Sequence, residues 1–459
     1  MKLCALVLAA GKGKRMRTST IPKINHELLN YPIVKYVLDS ISGLKLRNIV
    51  MVVGHSSEKV KECVNDGRII FVNQKEQKGT AHAVKSAFRV LGKFKGNILI
   101  LNGDSPLIRS NTLKRLLAAH DKDKSKLSFI TTKLDSPKGY GRVIRDDNNN
   151  VTSIVEEKDA TKFQKMINEV NSGIYCVNSD FLWKALKNIK PNNRQSEYYL
   201  TDIVKAAKIS NLNITTINSN PEEIMGINSR QDLLNISSIL SDRINKRLIN
   251  KGVTIISPDS TYISPQTKIG IDTVIYPNSY IFGETSIGNS CVIGPSVWIN
   301  NSSLGNASRI RFSSFIEETI IKNGVTVGPF AHIRTGTKVM ENAKIGNFVE
   351  IKNSSIGYGS KVPHLSYIGD SELGKNVNIG AGSITCNYDG FEKHKTLIED
   401  DVFIGSDTML VAPIKVGAGA TTGAGSTITK DIPRSSLAVA RSRQVIVKNW
   451  SRKSRNKNK

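Results

Sequence analysis

Paired cysteines are missing from this chain. Its five cysteines, Cys4, Cys63, Cys176, Cys291 and Cys386, are odd in number, far apart and form no C-x-x-C pair. That excludes a disulfide framework and a thiolate zinc site, and it predicts reduced thiols in a cytoplasmic protein. Long apolar runs are missing too, since none approaches the ~18 residues that a membrane span needs. The opening MKLCALVLAA has one Lys before a short apolar run, as a signal peptide does. It leads straight into a glycine loop, however, so a buried first strand is expected instead. Acid is scarce: 39 Asp and Glu against 65 Lys and Arg leave a net charge of +26. Such a balance suits polyanions or anionic small substrates. The excess is nevertheless spread along the chain, only the tail RKSRNKNK is dense, and basic residues are not interleaved with aromatics. A nucleic-acid groove is therefore not expected.

What is present is a period of six. Ile398, Ile404, Leu410, Val416, Thr422 and Ile428 follow one another at intervals of six, with Gly405, Gly417 and Gly423 directly after three of them. The period continues backwards through Ile345, Val339, Ile333, Val327 and Ile321, and again from Ile299 through Ile293, Ile287, Ile281, Ile275 and Ile269 to Ile263. Five-residue slips at Ile299 to Leu304 and Ile351 to Ile356 interrupt it without ending it. A sandwich alternates with period two and a leucine-rich array repeats at ~20 or more, so a parallel β-helix of hexapeptides is predicted. Each aliphatic residue points into the prism, small residues turn the corners, and stacked coils bury one another's ladder.

At 459 residues the chain exceeds what one core usually serves. The first ~230 residues alternate strands and helices, the pattern of an α/β domain with a parallel sheet. Strands are expected at Leu3 to Ala9, Ile49 to Val53, Ile69 to Val72, Ile98 to Leu101 and Leu127 to Thr131, with helices at Pro32 to Ser42 and His82 to Leu91. Arg230 to Leu248 has no Gly or Pro and places Leu234, Ile239, Ile244 and Leu248 near helical spacing, which predicts one connecting helix. The expected domains are 1–229, a linker helix at 230–250, and the hexads with the basic tail at 251–459.

The motif LAAGKGKRM, Leu8 to Met16, delivers small residues and two glycines into a loop carrying Lys12, Lys14 and Arg15, where backbone N–H groups and cations can surround phosphates. Its spacing is neither G-x-x-x-x-G-K-S nor G-x-G-x-x-G. Lys23, after Pro22, adds a second fixed cation. With PK following LAAGxGxRM, the chain resembles the sugar-phosphate nucleotidyltransferases. The resemblance extends through QKEQKGTAHA, NGDSPL, GYGR, IVEEKDA, VNSGIY and GINSR, and so covers the whole first domain. Together with the hexads it resembles the bifunctional GlmU family, N-acetylglucosamine-1-phosphate uridyltransferases that are also glucosamine-1-phosphate N-acetyltransferases, whose β-helix is left-handed.

That resemblance implies a site for in-line attack of a sugar 1-phosphate on the α-phosphorus of UTP. Asp104 and Asn228 match the Mg²⁺ ligands, and Arg15 and Lys23 would hold the triphosphate with Leu8, Ala9, Ala10 and Gly11. Gln74, Gly79 and Thr80 match the uracil-reading positions. Asn102 and Gly103 lead into Asp104, while Gly141, Glu156 and Asn171 match the N-acetylglucosamine positions. Taken singly, an Asp after a strand more often caps a turn, Glu156 and Glu157 read as a solvated face, and lone asparagines cap or turn. Their joint order carries the reading. Asn102 departs from the Tyr often found before GD.

In the β-helix, Arg334 and Lys352 interrupt the aliphatic rhythm, and between Ile379 and Ile398 an extra loop leaves the coils. Loops that protrude from a regular solenoid are where sites are made. His364 is the expected general base, a role histidine fills because it titrates near neutrality. By itself it reads as a corner histidine. The resemblance implies that Arg334, Lys352, Tyr367, Asn378 and Lys393 bind the amino-sugar phosphate. It also implies that Ala381, Asn387, Tyr388, Ser406, Ala424 and Arg441 contact acetyl-coenzyme A. Pro363 stands where Gly is expected before that histidine, and Cys386 reads as a packed thiol. Small-molecule substrates, a homotrimer and no nucleic-acid or membrane partner are implied. The alternative is a sugar-1-phosphate nucleotidyltransferase alone, with a structural or regulatory β-helix.

Overall fold

The structure, a computed structural model, describes residues 2–11, 13–17, 20–54 and 56–450, apart from the side chain of Lys14. Lys12 of the glycine loop and the tail RKSRNKNK lie outside the described residues. The chain divides into two compact units between Leu240 and Ser241, inside the helix Arg230–Ile249.

In the first unit the strand Leu3–Ala9 is buried along almost its whole length and runs parallel to Ile49–Val53 on one side and Asn97–Asn102 on the other. The sheet order is Ile214–Asn218, Leu127–Lys133, Glu169–Asn178, Asn97–Asn102, Leu3–Ala9, Ile49–Val53, Ile69–Asn73. Alternate residues feed two cores. Cys4, Leu6, Val50, Val52, Ile98 and Ile100 face one. Leu3, Ala5, Val7, Met51, Leu99 and Leu101 face the other, against Val34, Val37 and Ile41 of the helix Ile33–Ser42. The sheet is not wholly parallel. Glu169–Asn178 runs antiparallel to both of its neighbours, and its register shifts between Asn171 and Tyr175. The sequence shows this long strand only as VNSGIY, because Asn171, Ser172 and Gly173 break its apolar alternation. The helix expected over His82 to Leu91 is two pieces, Thr80–Ser86 and Phe88–Leu91, meeting at Ala87.

The connecting helix forms as expected but buries a different stripe. Ile236, Leu240, Ile244 and Leu248 are its buried face, and Leu234 is 64% exposed. A straight helix keeps one face inward at spacings of three and four, and the five-residue step from Leu234 to Ile239 does not. Its first turn is fixed by reciprocal bonds, from Ser229 N–H to Asp232 at 2.8 Å and from Asp232 N–H to the Ser229 hydroxyl at 3.2 Å.

The second unit is the left-handed β-helix. Among the described residues its short strands fall into three parallel sheets of 11, 10 and 9 strands, and each strand pairs with the third one along the chain until the end, where Thr421–Thr422 pairs with Leu437–Ala438. One inward ladder runs Ile275, Ile293, Ile310, Val327, Ile345, Val362. Ile398, Ile404, Leu410, Val416, Thr422 and Ile428 are all buried, while Ile269, near the first coil, is half-buried. The slips are absorbed within single coils, so Ile287 still pairs with Leu304 and Val339 with Ile356. Leu373 pairs directly with Ile398, and the intervening excess leaves the prism as a loop.

Two candidate active sites

Register places the first site. Leu8 lies opposite both Asn102 and Val52, so the carboxyl ends of two neighbouring parallel strands set the glycine loop beside Asp104. Such strand ends are where ligands gather on α/β sheets. Gly103 N–H donates to the Leu8 carbonyl at 2.8 Å and joins the two segments. The Lys23 ammonium donates to Asp104 Oδ2 and lies 3.3 Å from Asn228 Oδ1. Arg15 reaches the same amide oxygen at 3.0 Å. Asn228 is held at its backbone, where its N–H donates to Asp232 at 2.9 Å, and Ile227 N–H donates to the Asp104 carbonyl at 3.0 Å. Four side chains drawn from a span of more than two hundred residues thus converge on one point.

The donor set fits a metal. One carboxylate and one carboxamide oxygen converge on a single ammonium, and a pair of hard oxygens with room for phosphates and waters suits a divalent cation. Among the described residues no group of three or more His, Cys, Asp or Glu gathers, here or elsewhere.

The segment QKEQKGTAHA follows the edge strand Ile69–Asn73. Gln74 is buried with its amide 3.0 Å from His82 Nδ1. Gly79 has φ +104°, and a Cβ there would lie 2.6 Å from the Tyr198 carbonyl. Thr80 starts the following helix, and its hydroxyl accepts from Leu200 N–H at 2.9 Å. Gly79→Ala is expected to destabilise the fold by about 1–3 kcal/mol and to raise the KM for a nucleotide, read by thermal melting and initial rates. Gln77, not anticipated, donates to the Ala10 carbonyl above Gly54. Its signal was the second Gln of QKEQKG.

Gly141, Glu156 and Asn171 come together in the structure. Asn171 N–H donates to the Gly141 carbonyl at 2.9 Å, and a Cβ on Gly141 would lie 3.5 Å from Glu156 Oε2. Burial pushes the Glu156 carboxyl above the usual carboxylate range, opposed by the Thr201 hydroxyl at 3.1 Å. Glu156 is therefore no solvated face. Its neighbour Glu157 pairs with the buried Arg142 at 2.7 Å. Asn102 packs its amide against Gly173, where a Cβ would approach to 2.5 Å.

In the second unit one corner column unites two sets of predicted residues. Lys344, Lys361, Asn378, Phe403 and Thr421 pair successively from coil to coil. Three residues beyond each stand Asn347, His364, Ala381, Ser406 and Ala424. The carbonyls of this column accept from the corner N–H groups above, Asp407 on Ala381 at 2.7 Å and Gly425 on Ser406 at 2.8 Å. Arg441 closes it by donating to the Ala424 carbonyl at 2.8 Å. His364 is thus followed along the column by the small residues Ala381, Ser406 and Ala424.

The following sheet of the same coils carries a cationic cluster. Arg334 and Lys352 occupy equivalent positions in adjacent coils, with Arg334 paired to Glu350 at 2.6 Å. The extra loop supplies Lys393. It folds back through the Tyr388–Lys393 bridge, and Asp389 clamps it by accepting from the backbone of Phe391 and Glu392 and from His394. Those donors hold the Asp389 carboxyl below its usual range. Lys393, followed by Arg334, pulls the Lys352 ammonium below its ordinary range. Three cations held this close favour an anion among them. Gly369 leaves space above Lys352, since a Cβ there would meet the Tyr367 hydroxyl at 2.5 Å and the Asn387 amide at 2.8 Å. Asp370, unpredicted, accepts from that Asn387 amide. Tyr388 lies exposed, its hydroxyl donating to the Gly390 carbonyl.

Pro363 has a local consequence. In neighbouring coils Gly328 and Gly380 donate to the carbonyls of Ile345 and Ile404 at 2.9 and 2.8 Å. Pro363 has no N–H, so the equivalent rung to Ile379 is lost. The strand Lys361–His364 still forms, because Gly346 beneath offers a backbone where a Cβ would lie 1.7 Å from the Pro363 carbonyl. Cys386 is half-buried in a strand, and burial raises its thiol, so it packs as expected.

Two family models match in the same order as the two sites, a nucleotidyl transferase over residues 4–219 and the six-repeat bacterial transferase hexapeptide over 318–353 and 395–430. Over nearly its full length the chain is similar to proteins named bifunctional protein GlmU. The one from Geotalea uraniireducens is 46% identical over 98% of this chain and 99% of its own. That of Thermosipho melanesiensis is 48% identical over 97% and 96%. The chain belongs to the GlmU family. Membership of the family makes it an enzyme of the transferase class with both nucleotidyltransferase and acyltransferase units. A nucleotidyltransferase with a merely structural β-helix is not favoured. The family and the fold are consistent with a divalent-metal requirement. No helix among the described residues is long and apolar enough to cross a membrane.

Proposed function

We propose that this GlmU-family chain acetylates glucosamine 1-phosphate in its β-helix and uridylates the product in its first domain, supplying UDP-N-acetylglucosamine for envelope synthesis. What supports the acetyl step is that the coils bearing the His364 column also carry Arg334 and Lys352 on the following sheet, with Lys393 returned to them by the loop. An anionic amino sugar seated on those cations presents its amine toward a general base and a thioester groove. His364 takes the proton that the amine loses as the C–N bond forms. The C–S bond then breaks, and the proton goes to the departing thiolate. Tyr367, Asn378, Asn387, Tyr388 and Arg441 would complete the two ligand surfaces, and direct transfer leaves no role for Cys386.

In residues 1–229, Arg15 and Lys23 would neutralise the triphosphate, Gln74 and Gly79 read the base, and Gly141, Glu156 and Asn171 hold the acetylated sugar. Asp104 and Asn228 would hold Mg²⁺, which when bound supplies charge neutralisation on the reacting phosphates. Residues 230–250 serve as the connecting helix and 251–459 as the acetyltransferase. Free thiols and anionic small substrates support a cytoplasmic setting, and the flat faces of the prism support a homotrimer.

Acetyl-coenzyme A, glucosamine 1-phosphate, UTP and Mg²⁺ together are expected to yield thiol and pyrophosphate in equal amounts, and omission of acetyl-coenzyme A should abolish pyrophosphate release. Pyrophosphate from N-acetylglucosamine 1-phosphate with no thiol release under any condition would sink the acetyl assignment.

A further inference from the structure

Within the corner column, the residue directly beneath His364 is Asn347, and nothing in the motif reading singled it out. The two are register partners in adjacent coils. Asn347 Oδ1 lies 2.7 Å from His364 Nδ1, and the Asn347 carbonyl accepts from Leu365 N–H at 3.1 Å. Both the side chain and the backbone of Asn347 therefore hold the histidine turn. Its own backbone has little freedom, because Gly346 lies hard against Pro363. We propose that Asn347 is the positioning residue of the acetyl-transfer base: its amide oxygen keeps the His364 proton on Nδ1 and turns Nε2, lone pair free, toward the amine. This rests on the reading of His364 as the base.

The chemistry follows from a side-chain amide oxygen being an acceptor only. A ring nitrogen facing it at hydrogen-bond distance has to carry the proton, which leaves the other nitrogen basic. When Nε2 takes the proton released by the amine, Nδ1–H stays on Asn347 and the ring does not rotate. A base oriented by a third group is the usual arrangement where a histidine moves protons. Here that group is neutral, so it fixes tautomer and direction without adding a charge to the ring.

The test uses the full-length protein with four substitutions, Asn347→Ala, Asn347→Leu, Asn347→Asp and His364→Ala, each assayed for thiol release and for uridyl transfer. Asn347→Ala and Asn347→Leu are expected to lower kcat for acetyl transfer roughly tenfold to a hundredfold, with KM for acetyl-coenzyme A and glucosamine 1-phosphate unchanged within about twofold. Asn347→Asp, which retains an acceptor oxygen, is expected to recover most of kcat. Uridyl transfer should be unaffected throughout, and an unchanged melting temperature together with unchanged KM values reports an intact β-helix. Full kcat in the alanine and leucine variants, an aspartate variant as impaired as they are, or a loss appearing in KM would each overturn the proposal. Full activity in His364→Ala would instead remove the base assignment on which it stands.

Discussion

His364→Ala is expected to lower acetyl transfer by about two to four orders of magnitude while leaving uridyl transfer from N-acetylglucosamine 1-phosphate intact. The magnitude is that of a positioned general base. The selectivity follows from the fold. His364 ends the strand Lys361–His364 at an exposed corner, and the buried ladder behind it, Ile345, Val362 and Ile379, does not depend on the imidazole. Truncation removes the proton acceptor and one hydrogen bond to Asn347, and it creates no cavity. Thiol release from acetyl-coenzyme A measures the loss directly. KM for glucosamine 1-phosphate should stay near its original value, since the cations Arg334, Lys352 and Lys393 remain. A rise in KM equal to the fall in kcat/KM would move His364 from the reacting centre to a binding role.

Asp104→Asn is expected to give the mirror result, with uridyl transfer down by about two to three orders of magnitude and acetyl transfer unchanged. The substitution keeps an oxygen acceptor for the Lys23 ammonium and removes only the charge, so the loop and strand ends stay in place. What is lost is the carboxylate that meets Lys23 beside Arg15 and the neutral Asn228. A divalent cation held by this pair would meet two amide oxygens, leaving the charge on the phosphates unbalanced. The readout is pyrophosphate release against Mg²⁺ concentration. The variant should need far more metal and still not regain the wild-type plateau. Recovery of the full rate at higher Mg²⁺ would reduce Asp104 to a binding contribution. A rate independent of metal would remove Asp104 from metal binding.

Not everything local could be foreseen. The hexads announced the inward ladder because a buried aliphatic at each sixth position is a repeating, local requirement. The strand Glu169–Asn178 stayed hidden because a bulge at Asn171 to Gly173 breaks its alternation, and that bulge brings Asn171 to Gly141. The connecting helix was legible as a helix, but its buried stripe was not, because which face turns inward depends on what the helix meets.

What the sequence by itself determined is the type of each element and the identity of the chemical groups. A strand leading into a glycine loop with fixed cations, a period of six and a loop that breaks it are all written in local spacing. Only the tertiary structure decided which groups meet. Asn228 reaches Lys23 across 205 positions, and Asn347 reaches His364 across 17, because strand register and coil stacking set those distances. Register arises from backbone hydrogen bonds between segments remote in the chain, so no local pattern carries it. The Asn347 side chain beneath the proposed base, and the Lys393 that the loop returns to Lys352, are therefore visible only once the coils are stacked.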